Sequence, residues 1–183
     1  MIEIRWHGRG GQGAITAAKI YAQAAFKHGY PGVVMAPTFG TERRGAPIFT
    51  SLKISRDKIY DLSPIETPDI VVVLDHLLLH EVDVARGLKD GGLVVLNTAK
   101  PLDSYDFGGA RLAVADVTGL SMQAGLPQGR INSGMLGILC KAIDLVPFDL
   151  VYPEIEAEFE GKKPKANAEA ARLAYENTIV GVA

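Results

Sequence analysis

The chain is poor in cysteine: Cys140 is the single one among 183 residues. One cysteine excludes an internal disulfide framework and a cluster of iron and sulfur held by several thiolates of this chain. No run approaches the about 18 consecutive apolar residues of a membrane-spanning helix, and the first residues lack a signal-peptide layout. The formal net charge of −2 provides no electrostatic case for nucleic acid or an anionic membrane as partner. These absences predict a cytoplasmic protein.

The hydrophobic periodicity predicts strands that alternate with helices along the whole chain. At 48% hydrophobic and 22% charged residues, the composition is that of one globular domain, residues 1–183. We expect a three-layer α/β fold with a largely parallel, Rossmann-like sheet and an inserted antiparallel hairpin. The predicted strands are 2–7, 33–36, 48–55, 58–62 (the second half of the hairpin), 70–74, 93–97 and 112–117. The predicted helices are 14–28, 76–88, 134–145 and 167–179.

A glycine-rich turn, residues 8–13, connects the first strand to the first helix. Gly8, Gly10 and Gly13 fit the pattern G-x-G-x-x-G in the strand–turn–helix context that this pattern requires. Glycines allow close approach of a phosphate, and the free N–H groups and dipole of the following helix favour negative charge. The turn is thus either an anion cradle or only a tight strand-to-helix connection.

The segment after the second predicted strand differs from that of an ordinary nicotinamide site. The acidic residue expected roughly 20 positions after the glycines is missing there, and two adjacent arginines, Arg43 and Arg44, follow instead. Two arginines beside the glycine turn would clamp phosphate or carboxylate groups. Alternatively, Glu42 neutralises one arginine and the other docks a neighbouring chain.

No complete catalytic set is present in the sequence. Asn132 or Ser133 is placed to cap the helix that follows, although a position facing a ligand is also open. Asp75 is interpreted as a helix cap. His76 and His80 have the spacing of a zinc motif but lack a third ligand, so we expect no metal site.

Three stretches together resemble a known family: residues 4–14 with the glycine turn, residues 39–47 with the paired arginines, and residues 68–75. They are similar to the gamma subunit of 2-oxoacid:ferredoxin oxidoreductases, and the pyruvate type is the nearest. Further matches extend the resemblance over essentially the whole chain. Thr41 stands where the family commonly has proline, and Ser133 where threonine is common.

The resemblance implies a multi-subunit enzyme that converts a 2-oxoacid and coenzyme A to acyl-CoA and CO2 and reduces ferredoxin. It places thiamine diphosphate, magnesium and iron–sulfur clusters on the alpha, beta and delta subunits. The gamma chain would be a non-catalytic, structural subunit that borders the coenzyme A site and binds no cofactor alone. The candidate coenzyme A-facing residues are Gly8, Arg9, Gly10, Gly11, Gln12, Gly13, Thr41, Glu42, Arg43, Arg44, Asn132 and Ser133.

Two alternatives remain at this point. The chain could be a stand-alone NAD(P)-binding oxidoreductase in which Arg43 and Arg44 recognise a 2′-phosphate. It could also be a pure scaffold that holds catalytic subunits without contacting a small molecule. The first alternative predicts that the isolated chain binds a nicotinamide cofactor, and the second that changes at the arginines alter assembly only.

Overall fold

A computed structural model of the chain describes residues 1–37 and 44–183. Within these residues one seven-stranded sheet has the order β2-β3-β1-β4-β5-β6-β7. The strands are β1 (Ile2–Arg9), β2 (Gly32–Pro37), β3 (Pro47–Ser55), β4 (Ile70–Val73), β5 (Leu93–Asn97), β6 (Arg111–Ala115) and β7 (Ile179–Val182). The helices are α1 (Ala14–Lys27), α2 (Val117–Gln123), α3 (Asn132–Ala142), α4 (Phe148–Glu158) and α5 (Pro164–Asn177).

The centre of the sheet is parallel and its margins are antiparallel. Strands β1, β4, β5 and β6 run parallel, whereas β3 is antiparallel to both β1 and β2, and β7 is antiparallel to β6. The central strands are buried on both faces, as expected for a parallel sheet. In β4, Ile70 and Val72 face the layer that contains the five helices, while Val71 and Val73 face the opposite layer. The predicted α/β, largely parallel fold is confirmed.

The opposite layer corrects one predicted helix. Instead of a helix over 76–88, only a 3-10 helix forms over His76–His80, and turns follow it. Gly87 has a φ of +75° and lies so close to the backbone of Glu66 that a Cβ would be 2.2 Å from the Glu66 carbonyl oxygen. A continuous helix does not permit this conformation. A second short 3-10 helix, Leu102–Ser104, belongs to the same layer.

The antiparallel hairpin is present, but its second strand is not the one predicted. Residues 58–62 form no strand, because both edges of β3 are already occupied. Ile54, for example, is paired with Ile2 of β1 on one side and with Val33 of β2 on the other. The hairpin is therefore β2–β3, and β3 is inserted between β1 and β2.

Besides the 3-10 helix Leu102–Ser104, the elements that were not predicted are α2, α4 and β7. Helix α4 contains Pro153 and follows Pro147, and prolines at this spacing suggest a loop. Helix α5 packs on its own domain through buried alanines, and it meets α3 at Gly137. A Cβ on Gly137 would lie 2.1 Å from the carbonyl oxygen of Ala171, so the two helix backbones are in close contact. Within the described ranges, no helix is both long and apolar enough to cross a membrane.

Candidate functional site

The glycine turn leaves the start of α1 uncapped. Gly11 and Gly13 have φ values of +94° and +83°, a region that side chains with a Cβ rarely adopt. Gly13 is the residue before the first turn of α1, and no side chain caps this end among the described residues. The first N–H groups of α1 are therefore available to an acceptor outside the helix, where the helix dipole also favours negative charge.

Gly13 brings Asn132 to the same place. A Cβ on Gly13 would lie 2.8 Å from Nδ2 of Asn132, so only glycine allows the start of α3 to pack here. Asn132 is 7% exposed. Within residues 1–37 and 44–183 its side-chain amide makes no hydrogen bond, although it lines the cleft at the start of α1. Because the side chain lines the cleft, its amide is open to a polar group that enters there.

The cleft itself has a volume of about 400 Å³ and an excess of positive charge. Arg130 and Lys162 line it, and neither side chain has an ion pair or hydrogen bond within the described part of the chain. The one acid in the lining, Glu158, is 2.8 Å from Nζ of Lys19, which offsets its charge. We call this space the glycine-loop cleft; its lining is Gly11, Gln12, Gly13, Ala14, Ile15, Thr16, Ile48, Arg130, Asn132, Glu158, Phe159 and Lys162.

Two further crevices adjoin the glycine-loop cleft through Arg130. One, about 480 Å³, lies between the glycine turn and Arg44 and extends to residues 127–130. The other, about 260 Å³, is mostly apolar and includes Leu126, Pro127 and Phe159, with Lys162 at its border. The three spaces together offer cationic groups beside an apolar surface.

Arg44 lies beside the glycine turn, as predicted. The Gly10 N–H donates to the Ala46 carbonyl at 2.9 Å, and the Gly45 N–H donates to the Gly10 carbonyl at 3.1 Å. These bonds hold Arg44 near Gly11, with its Cγ 3.8 Å from the position of a Cβ on Gly11. The other predicted residues of this loop, Thr41, Glu42 and Arg43, lie outside the described residues.

Arg9 and Gln12 border the crevices, but their polar groups are bonded to other residues of the chain. Arg9 Nε is 2.8 Å from Asp75 Oδ2, and Arg9 Nη2 is 2.5 Å from Glu81 Oε1. Gln12 accepts a bond from the Arg9 backbone N–H at 2.7 Å and donates to Asp75 at 3.3 Å. Burial raises the pKa of Asp75, but hydrogen bonds from the Leu77 N–H, Arg9 and Gln12 outweigh it, so the pKa is below its ordinary value. The charge of Arg9 is thus compensated within the chain.

Asn132 and Ser133 have different positions from those predicted. Helix α3 begins at Asn132, and the residue before it, Ile131, has no capping side chain, so neither polar residue is the cap. Asn132 reaches the cleft. Ser133 is fully buried and donates to Asn167 Oδ1 at 3.0 Å, which fixes α3 to α5. The capping prediction was wrong because the helix starts one residue earlier than the capping pattern requires.

Other sequence-based expectations have mixed outcomes. Asp75 is confirmed as a cap, since its carboxylate accepts the Leu77 N–H at 3.0 Å. Cys140 is confirmed as a buried small residue, and burial raises the pKa of its thiol. Across 1–37 and 44–183 no group of three or more His, Cys, Asp or Glu side chains is arranged to hold a metal. Arg130 and Lys162 were missed: Arg130 is next to the Asn132 motif, but Lys162 follows a helix that the sequence did not reveal.

Sheet and glycine turn define an α/β protein of the Rossmann-like class, and comparisons with known proteins narrow this class. The model of the family described as pyruvate ferredoxin/flavodoxin oxidoreductase matches residues 3–177. The chain is 46% identical over 185 residues to the pyruvate/ketoisovalerate oxidoreductases common subunit gamma of Thermococcus kodakarensis, covering 98% of each chain. The chain belongs to the pyruvate ferredoxin/flavodoxin oxidoreductase family, as a gamma subunit.

A solved structure at 33% identity agrees with this assignment, and one at 19% identity agrees with the fold alone. Pyruvate oxidoreductase subunit PORC of Thermotoga maritima, 33% identical, superposes with a TM-score of 0.84 and 98% of each chain covered. A 2-oxoglutarate:ferredoxin oxidoreductase from Magnetococcus marinus, solved with 2-oxoglutarate, coenzyme A and succinyl-CoA bound, shares the fold at 19% identity. Its TM-score is 0.74, with 96% of this chain and 30% of that longer chain covered.

Proposed function

We propose that this chain, as a single domain of residues 1–183, forms the coenzyme A-facing wall of a 2-oxoacid:ferredoxin oxidoreductase. The assembled enzyme converts a 2-oxoacid, pyruvate in our proposal, and coenzyme A to acyl-CoA and CO2, with ferredoxin as electron acceptor. The alpha, beta and delta subunits contribute thiamine diphosphate, magnesium and iron–sulfur clusters. One cysteine, Cys140, buried in the core, cannot hold such a cluster by itself. In our proposal the gamma chain binds coenzyme A and contributes no catalytic residue.

The Asn132 amide carries this proposal. It is more than nine-tenths buried, lacks a hydrogen-bond partner among the described residues, and lines the cleft where the uncapped N–H groups of α1 begin. A helix N-terminus together with an amide that has no partner among the described residues and two unpaired cations, Arg130 and Lys162, is suited to a phosphorylated ligand. Coenzyme A has a pyrophosphate and a 3′-phosphate, and its size requires more than one of the adjoining crevices.

Arg44 supplies a further cation on the other side of the glycine turn. Two backbone hydrogen bonds fix its segment to Gly10, so the backbone that carries the Arg44 side chain has a defined position. Arginine binds phosphate oxygens in a bidentate manner, which makes Arg44 and its neighbour Arg43 candidates for the 3′-phosphate. The apolar crevice at Leu126, Pro127 and Phe159 would accommodate an uncharged part of the ligand.

The stand-alone nicotinamide enzyme is disfavoured by the fold. A dinucleotide in such sheets crosses the crevice where chain connections change direction, here between β1 and β4. Arg9, Gln12 and Asp75 lie at the ends of these strands and are hydrogen-bonded to one another, so their polar groups are engaged within the chain. In addition, β2 ends at Pro37 and has no acidic residue there to bind a ribose.

The test is steady-state kinetics of the intact complex, purified without oxygen, with one substitution in this chain. Arg130→Ala and Lys162→Ala each remove one charge-assisted contact, so we expect the KM for coenzyme A to rise about tenfold. The kcat and the KM for pyruvate should change less than about twofold. Arg44→Ala and Arg43→Ala test the loop in the same assay.

Arg172→Ala is the matched control, because this arginine of α5 pairs with Glu169 and Glu176 outside the three crevices. If Arg130→Ala, Lys162→Ala and both loop variants leave the KM for coenzyme A unchanged, the proposal is wrong. A pure scaffold predicts that pattern together with poorer recovery of the partner subunits.

A further inference from the structure

Arg9 joins three segments that are far apart in the sequence: the glycine turn, Gly45 and residues 75–81. Its guanidinium donates to Asp75, which caps the first 3-10 helix, and to Glu81, at the end of that helix. It also donates to the Gly45 carbonyl at 3.2 Å, beside Arg44. Its own backbone N–H binds Gln12 at 2.7 Å, within the glycine turn. A single side chain therefore connects the turn, the Arg44 segment and the layer that follows β4.

The guanidinium has little capacity left for a ligand. Arginine offers five N–H donors. Nε binds Asp75, Nη2 binds Glu81, and Nη1 binds the Gly45 carbonyl and, at 3.3 Å, Glu81. Arg9 itself borders the crevice between the glycine turn and Arg44, whereas its partners Asp75 and Glu81 line none of the three crevices. Arg9 therefore lacks the free, uncompensated charge that Arg44, Arg130 and Lys162 present.

We propose that Arg9 is a positioning residue, which fixes the glycine turn and the Arg44 segment in the arrangement that receives the anionic ligand. This inference rests on the proposed function. A turn with four glycines among residues 8–13 and φ values of +94° and +83° has many alternative conformations. Ordering such a turn before binding removes an entropy cost from the binding step, which appears as higher affinity.

The acidic partners of Arg9 remain ionised at neutral pH. The hydrogen bond from Arg9 lowers the pKa of Glu81, and hydrogen bonds hold the pKa of Asp75 below its ordinary value despite its partial burial. The same two carboxylates raise the pKa of Arg9. All three groups are therefore charged at neutral pH.

Glu81→Gln in the intact complex tests the inference, because it weakens the ion pairs of Arg9 without changing a crevice residue. We expect the KM for coenzyme A to rise about three- to fivefold, the scale of one partly exposed ion pair, at unchanged kcat and unchanged Tm. Arg9→Ala should raise it further, and adding Glu81→Gln to Arg9→Ala should have no additional effect. Arg9→Lys should bind coenzyme A better than Arg9→Ala but more weakly than wild type, since an ammonium cannot reproduce the planar set of N–H donors of a guanidinium.

Glu176→Gln is the matched control, because it also removes one carboxylate from an arginine that has two, Arg172. It should leave the KM unchanged. A KM that rises with Arg130→Ala but stays constant with Glu81→Gln and Arg9→Ala overturns the positioning role and retains the proposed function. If Arg130→Ala, Lys162→Ala and both loop variants are also silent, the proposed function fails. Amide exchange of residues 8–13 then decides about Arg9: faster exchange with Glu81→Gln supports loop positioning, and equal exchange overturns it.

Discussion

His7 makes the stability of the fold sensitive to acid. Its side chain is 7% exposed on β1, its ring centroid is 5.8 Å from that of Phe49, and its Nε2 accepts a bond from Arg5 Nε at 3.1 Å. Burial, and secondarily the charge of Arg5, lowers the pKa of His7 from 6.5 to about 4. A proton on His7 would remove the acceptor of Arg5 and place a second positive charge in the same buried space.

The sign and size of the effect follow from linkage. Because the folded pKa of His7 is the lower one, the stability contribution is fully present above pH 6.5 and is lost as the pH falls toward 4. At about 1.4 kcal/mol per pH unit, the loss between these values is on the order of 3 kcal/mol. This is a large part of the usual stability of a domain of this size.

Denaturant unfolding of the full chain at a series of pH values measures this contribution. With His7→Gln, the difference in the free energy of unfolding between wild type and variant should shrink by on the order of 3 kcal/mol from pH 7 to pH 4. Trp6→Phe, on the same strand, is the control; it costs packing energy but does not titrate, so its difference should be independent of pH. A His7→Gln difference that is constant across this range would refute the reasoning.

Two glycine substitutions test the packing that positions the site. Gly137→Ala should destabilise the chain by about 3 kcal/mol or more, because its Cβ would lie 2.1 Å from the carbonyl oxygen of Ala171. Gly125→Ala is the control: its φ is +85° and no atom lies within 4 Å of the new Cβ, so it should cost only about 1–2 kcal/mol. If denaturant titrations give the same loss of unfolding free energy for Gly137→Ala and Gly125→Ala, the α3–α5 contact is contradicted. Gly13→Ala should cost more stability than Gly125→Ala, because its Cβ would also clash with Asn132. Adding Asn132→Ala should recover part of this additional loss. A double-mutant cycle that shows no coupling between the two positions would exclude the Gly13–Asn132 contact.

The hydrophobic pattern of short segments predicted those strands and helices that depend mainly on residues near each other in sequence. Strand β1 and helix α1 on either side of the glycine turn, and the apolar runs of β4 and β5, all occur where the sequence indicates. The alternation of apolar and polar residues in β1 predicted a strand. It did not reveal that the polar face of this strand is also buried. Arg5 is buried there because the carbonyls of Val84 and Arg86 accept its N–H groups at 2.9 and 2.6 Å.

The remaining features depend on contacts between distant segments. Residues 58–62 have a strand-like pattern, yet no free edge of β3 is available to them, which only the sheet order reveals. Lys162 reaches the cleft because α4 forms despite Pro153. Arg9 was predicted to face the ligand, and its partner Glu81 is 72 residues away in sequence. A single sequence does not indicate which charges across such separations meet.

The most direct test of the central claim is the affinity of the intact complex for coenzyme A, measured by anaerobic calorimetry with and without Arg130→Ala in this chain. The cationic cleft at the start of α1 predicts a Kd about tenfold higher for the variant, with Arg172→Ala equal to wild type. Equal Kd values for Arg130→Ala and wild type, in a complex with all its subunits present, would contradict the claim that this cleft receives coenzyme A.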